Sequence, residues 1–192
     1  MVLPNAVLVP NALLPLHIFE EQYREMLRFA LEHNRLFCIG LRRPEADDME
    51  PANFFPVGGI GLVRACVGAE DGTSNLILQG LARVKFGKVL QAEPFRLAEI
   101  GEYPSECPNL VEAEALGVKV IEICGHLHEQ GRCLPAALVQ KLRHVTNPEL
   151  IADIVTQTFL RDSLQQQRLM EEVSVSERMR LLIRYLQAEA TA

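Results

Sequence analysis

The chain has 192 residues, 48% of them hydrophobic and 23% charged, with a formal net charge of -6. That length buries a core without staples, and the composition excludes a disordered chain. The acidic total argues against a nucleic-acid binder, whose affinity comes mostly from cations on phosphate. The five cysteines, Cys38, Cys66, Cys107, Cys124 and Cys133, are odd in number and scattered, so no disulfide framework is expected and a reducing compartment is implied. The N-terminus lacks the basic start and apolar run of a secretory signal, and no apolar stretch approaches the roughly 20 residues needed to span a bilayer. A cytoplasmic protein without membrane contact is expected.

Residues 6–9 (Ala6-Val7-Leu8-Val9) predict a short strand closed by Pro10-Asn11, and residues 13–18 are extended. From Glu20 to Glu32 the pattern is helical, with Tyr23, Met26, Leu27, Ala30 and Leu31 forming one apolar stripe. A strand follows at 36–41, then a polar, acidic loop at 42–53. Residues 55–68 predict a long strand whose Gly58-Gly59-Ile60-Gly61 marks a bulge or bend. Asp71-Gly72 signals a hairpin into a strand at 75–79, which Gly80 should break before a further strand at 81–90. Residues 95–103 form the last expected strand. A small β-barrel or a strongly coiled sheet with one early helix results.

The proline-bracketed segment Tyr103-Pro104-Ser105-Glu106-Cys107-Pro108 marks a boundary, giving domains 1–106 and 107–192. Beyond it the apolar spacing is helical. Helices are expected at 110–127 and 135–144, from Asn147-Pro148 as N-cap and first position, at 163–172, and from the capping box Ser174-Val175-Ser176-Glu177 onward. The fold class is α+β, a sheet domain followed by a helical bundle.

Leu13-Leu14-Pro15-Leu16-His17-Ile18-Phe19-Glu20-Glu21-Gln22-Tyr23-Arg24-Glu25-Met26-Leu27 resembles the signature of the N-terminal substrate-recognition domain of the Lon protease family. Phe55-Pro56-Val57-Gly58-Gly59-Ile60-Gly61, Asp71-Gly72-Thr73, Gln79-Gly80-Leu81-Ala82-Arg83-Val84, Asn147-Pro148-Glu149-Leu150 and Val175-Ser176-Glu177-Arg178-Met179 follow in the family's order. The resemblance covers nearly the whole chain and implies a PUA-like β-barrel followed by a helical bundle. The family's first strand starts a few residues earlier than Ala6. The sequence has no Gly-x-x-x-x-Gly-Lys-Ser/Thr run, so the resemblance implies a stand-alone recognition part that binds unfolded or degron-bearing segments of client proteins and is not an enzyme. The alternative is a PUA-like nucleic-acid or small-ligand binding module.

No catalytic residue, metal site or cofactor is expected. Cys124, His126, His128 and Cys133 have metal-ligand chemistry but fit no standard spacing, so an exposed helix end is the simpler reading. The glycines at 58–61 do not open a helix, which removes a dinucleotide loop. His17 reads as a surface histidine, and Glu45-Ala46-Asp47-Asp48-Met49-Glu50 as a solvated acidic loop. Neighbouring strand side chains point to opposite faces, so the apolar pairs Leu13–Leu14 and Phe54–Phe55 are the candidate substrate-binding residues. Burial of one such side chain gives only about 1.5–3 kcal/mol, so useful affinity needs several contacts or the avidity of self-association.

Overall fold

The computed structural model describes residues 1–44, 53–131 and 136–191. The chain divides into two compact units, Met1–Tyr103 and Pro104–Ala192. The acidic loop at 45–50 and Cys133 lie outside the described residues.

The first unit is a six-stranded mixed sheet with one helix. Its strands are β1 (Val2–Leu3), β2 (Leu13–Ile18), β3 (Leu36–Leu41), β4 (Val57–Gly68), β5 (Ser74–Gln91) and β6 (Leu97–Glu102), in the order β1-β3-β4-β5-β2 with β6 also on β5. Among the described strands, only β1 runs parallel to its partner, β3. The long β5 pairs with β4 from Ser74 to Lys85 along one edge. Its other edge is shared by β2, from Ser74 to Gln79, and β6, from Val84 to Gln91. The helix α1 (Glu21–Glu32) buries Met26, Leu27 and Ala30, with Tyr23 packed against the same core, as the stripe predicts. Leu31, at the edge of the stripe, is exposed. Leu8, Ile18, Phe37, Ile39, Val63, Leu76, Leu78 and Phe95 belong to the same core.

Two expectations fail here for one reason. Residues 6–9 pair in no ladder, although Val7, Leu8 and Val9 are buried; the first strand lies earlier, at Val2–Leu3. The segment instead crosses the sheet. A Cβ at Gly59 would lie 2.0 Å from the Leu8 carbonyl oxygen, and one at Gly80 would lie 2.1 Å from that of Val9. The glycines exist for this backbone approach. Gly80 accordingly does not break the strand. β5 runs through it, opposite Gly61, and the irregularity is a register shift between Ile60 and Gly61. The Asp71-Gly72 turn forms as expected: Gly72 takes φ +82°, and the backbone N–H and hydroxyl of Thr73 both donate to Asp71 Oδ1.

The second unit contains α2 (Leu110–Glu129), α3 (Ala136–Leu142), α4 (Pro148–Phe159), α5 (Ser163–Glu171) and α6 (Val175–Thr191). Its core joins Val120, Cys124 and Leu127 of α2, Ile151 and Val155 of α4, and Met179, Leu182 and Leu186 of α6. Asn147 caps α4 by accepting from the N–H groups of Glu149 and Leu150 at 2.9 and 3.2 Å, with Pro148 at the first helical position. The capping box of α6 is half made. Ser174 Oγ accepts from Glu177 N at 3.3 Å, but Ser174 N donates to Glu172, and the Glu177 carboxylate pairs with Arg180. Arg178, 2% exposed, donates twice to the Glu172 carbonyl and once to Ser105 Oγ, beside Glu149 and Asp153. This arrangement gives a buried guanidinium the hydrogen bonds its desolvation requires.

Candidate functional site

The first unit carries an apolar pocket of about 240 Å³. Elements far apart in sequence build it. Helix α1 supplies Met26, Phe29 and Ala30, which share a face at i, i+3 and i+4. Strand β3 supplies Phe37, Cys38 and Gly40. The β5–β6 ribbon supplies Phe86, Leu97, Ala98 and Ile100, with Phe86 directly opposite Ile100 in register. The volume lies below the range typical of drug-sized sites, and suits one or two side chains. Three large apolar groups stand open at the rim: Phe29 is 43% exposed, Ile100 45% and Leu97 36%. Phe29 is held by stacking on His33 at 4.1 Å and by tilted contact with Phe95 at 5.6 Å.

The pocket's polar groups are few. Burial pushes the Cys38 thiol up to about 11, so it is a neutral wall. The Met1 amino group donates to the Cys38 carbonyl at 2.8 Å; burial, with a smaller contribution from the charge of Arg96, lowers it to about 6, so near pH 7 it is mostly neutral. Arg96 is the one charged side chain lining the pocket among the described residues, and its Nη1 donates to the neutral Asn53 Oδ1 at 2.8 Å.

The structure separates each expected pair. Leu13 is 59% exposed on the outer face of β2, whereas Leu14 turns inward against the core. Leu13 shares that outer face with Pro15, which pairs with Ile77 of β5, itself opposite Ala65 of β4. Phe54 is buried and meets Phe86 edge-on at 5.1 Å, which makes it the floor of the pocket and not a surface group. Phe55 is half-buried, with its N–H donating to the Leu41 carbonyl. Phe29, Leu97 and Ile100 were not among the expected residues. The signal for Phe29 was available: it is a bulky aromatic at the edge of the apolar stripe of α1, three residues after Met26.

The remaining candidates are placed as follows. Cys124 is buried, and desolvation pushes its thiol up to about 12. His126 lies at the surface, 3.5 Å from Glu129, and His128 is half-buried. Among the described residues no group of three or more His, Cys, Asp and Glu side chains is positioned to hold a metal ion. His17 is exposed and hydrogen-bonded to Asn75 Oδ1 at 2.9 Å. Arg83 is buried, with its guanidinium 5.2 Å from the centre of the Tyr103 ring. Among the described residues no helix is long and apolar enough to cross a membrane.

A mixed sheet carrying an open apolar pocket, followed by a helical unit, defines an α+β fold with a surface suited to binding. The chain belongs to the ATP-dependent protease La (LON) substrate-binding domain family, whose sequence model matches residues 1–188. The Lon protease of Dictyoglomus thermophilum is 22% identical over 187 residues, covering 97% of this chain and 24% of that protein. The Lon protease of Anaeromyxobacter dehalogenans is 26% identical over 186 residues, covering 96% of this chain and 22% of that protein. The chain thus spans about a quarter of the length of the curated relatives it matches. Among solved structures, the N-terminal domain of Mycobacterium avium complex Lon protease superposes with a TM-score of 0.78 at 18% identity, covering 97% of this chain and 96% of that one. A Lon N-terminal domain protein from Xanthomonas campestris gives 0.67 at 15% identity, covering 96% and 95%. These likenesses establish the fold.

Proposed function

We propose that this chain is a recognition module that binds exposed apolar or degron-bearing segments of other proteins and performs no chemistry of its own. One observation carries the reading: three large apolar side chains, Phe29, Leu97 and Ile100, stand open to solvent around an apolar pocket. Membership of a substrate-binding family supports it. Leu13 and the outer face of β2 offer a second contact, while Phe54 supports the pocket from beneath. One side chain in the pocket gives only about 1.5–3 kcal/mol, which corresponds to binding no tighter than millimolar. Useful affinity therefore comes from several contacts or from self-association. A reducing, cytoplasmic setting is supported by the free thiols of Cys38, Cys66, Cys107 and Cys124.

The test is a binding titration of the full chain with a fluorescent, reduced and unfolded client. The wild type binds, and Phe29→Asp with Ile100→Asp lowers affinity while the melting temperature holds. Binding no stronger than to an unrelated folded domain rejects the reading.

A further inference from the structure

We infer that a client segment held in the pocket continues across the outer face of the sheet to Leu13, so that the site prefers extended segments with two bulky apolar side chains about four to six residues apart. This deepens the proposed recognition function and rests on it. The first observation is continuity. Leu13 of β2 lies opposite Gln79 of β5, Gln79 opposite Leu62 of β4, and Leu62 opposite Leu36 of β3. Side chains of directly paired residues share one face of a sheet. The row therefore crosses four strands on a single face, and its last member, Leu36, lines the pocket. Ile60, two residues before Leu62 on the same face, lines it as well. The exposed Leu13 and the pocket are two ends of one surface.

The second observation is the character of that surface. A second row, Pro15, Ile77 and Ala65, lies beside the first. None of the residues in either row is charged, in a chain with 23% charged residues, and all are exposed or half-buried. An apolar segment covers such a face without stripping water from an ion. The face, and not the edge, is what β2 offers: β2 ends the strand order, and Pro15 has no N–H to give an added strand. The third observation is distance. Three strand spacings of about 4.8 Å place Leu13 about 14 Å from Leu36, with the pocket a few ångströms further. An extended chain covers that span in about four to six residues. One anchor alone binds weakly, whereas a second on the same segment adds its contact at high effective concentration.

The experiment measures anisotropy of labelled peptides with the full-length chain. The peptides carry one phenylalanine, or two placed two, four or six positions apart, in an otherwise neutral Gly-Ser sequence, and an unfolded client is titrated in parallel. The pair two positions apart should gain only the about twofold that comes from two chances at the pocket, whereas a pair four or six apart should bind about tenfold tighter than the single phenylalanine. Leu13→Asp should remove that gain and leave the single-phenylalanine affinity unchanged. Leu13→Lys should transfer the gain, at low salt, to a peptide with glutamate as the second anchor, which damage to the fold cannot produce. Equal binding of all the two-phenylalanine peptides, or a gain that survives Leu13→Asp, overturns this inference and leaves the recognition function standing if the client binds. Failure of every peptide while the client binds has the same meaning. Sedimentation of the wild type and Leu13→Asp runs alongside: a change of oligomeric state without a spacing preference gives the face to a second copy and overturns the inference too. Failure of peptides and client together overturns inference and function alike.

Discussion

The carbonyl oxygen of Leu8 lies 2.0 Å from where the Cβ of any larger residue at position 59 would sit, so Leu8 and Gly59 touch backbone to backbone. The crossing segment and the glycine row of β4 define each other. Gly59→Ala should therefore destabilise the first unit by about 3 kcal/mol or more, since neither partner is a flexible side chain. Gly101→Ala is the control. Nothing lies within 4 Å of its added methyl, and its effect should stay within about 0.5 kcal/mol. Urea unfolding of the two variants checks the contrast.

Phe54 and Leu13 should differ sharply in stability measurements. Phe54→Ala removes a buried ring that packs edge-on against Phe86 and should cost about 3–5 kcal/mol. Leu13→Ala, on an exposed face, should cost no more than about 0.5 kcal/mol, and any loss of client binding in it reflects contact rather than unfolding. Paired denaturation and binding titrations separate the two effects.

Arg178→Ala should cost about 3–5 kcal/mol, because it strips the buried cation from Asp153 and leaves the Glu172 carbonyl without two donors. Arg178→Lys should recover only part of this, since an ammonium cannot reproduce the guanidinium fork. Asn147→Ala should cost about 1 kcal/mol through loss of the α4 cap. Denaturation midpoints of the three variants test the ranking.

Alkaline stability should carry the mark of Cys124. Its folded value, about 12, lies above the ordinary 9.0, so the native thiol stays protonated while the unfolded one ionises. The contribution is fully present below pH 9 and falls as pH rises toward 12, by at most about 1.4 kcal/mol per pH unit. The stability difference between wild type and Cys124→Ala should therefore shrink from pH 8 to pH 11 in chemical denaturation.

What could be read beforehand was local. The stripe of α1, the limits of β3, the Asp71-Gly72 turn and the Asn147-Pro148 cap each depend on a few adjacent residues, and each stands where its pattern placed it. The errors were non-local. An apolar run such as Val7-Leu8-Val9 has the composition of a strand whether it joins a ladder or crosses one, and only Gly59 and Gly80, more than fifty residues away, decide which. The adjacency rule noticed that Phe54 and Phe55 face opposite ways but could not say which face is solvent. The pocket was invisible for the same reason: its walls come from α1, β3 and the β5–β6 ribbon, and no short window contains them.

The place of β5 has a consequence for how the chain is made. Strand β2 waits for β5, and Gln79, the far end of its partner segment, emerges from the ribosome long after Ile18. At the usual elongation rates that interval is on the order of ten seconds. For that time the inward-facing side chains of β2 have no strand to pair beside, so a nascent recognition domain is itself an unfolded apolar segment of the kind it is proposed to bind.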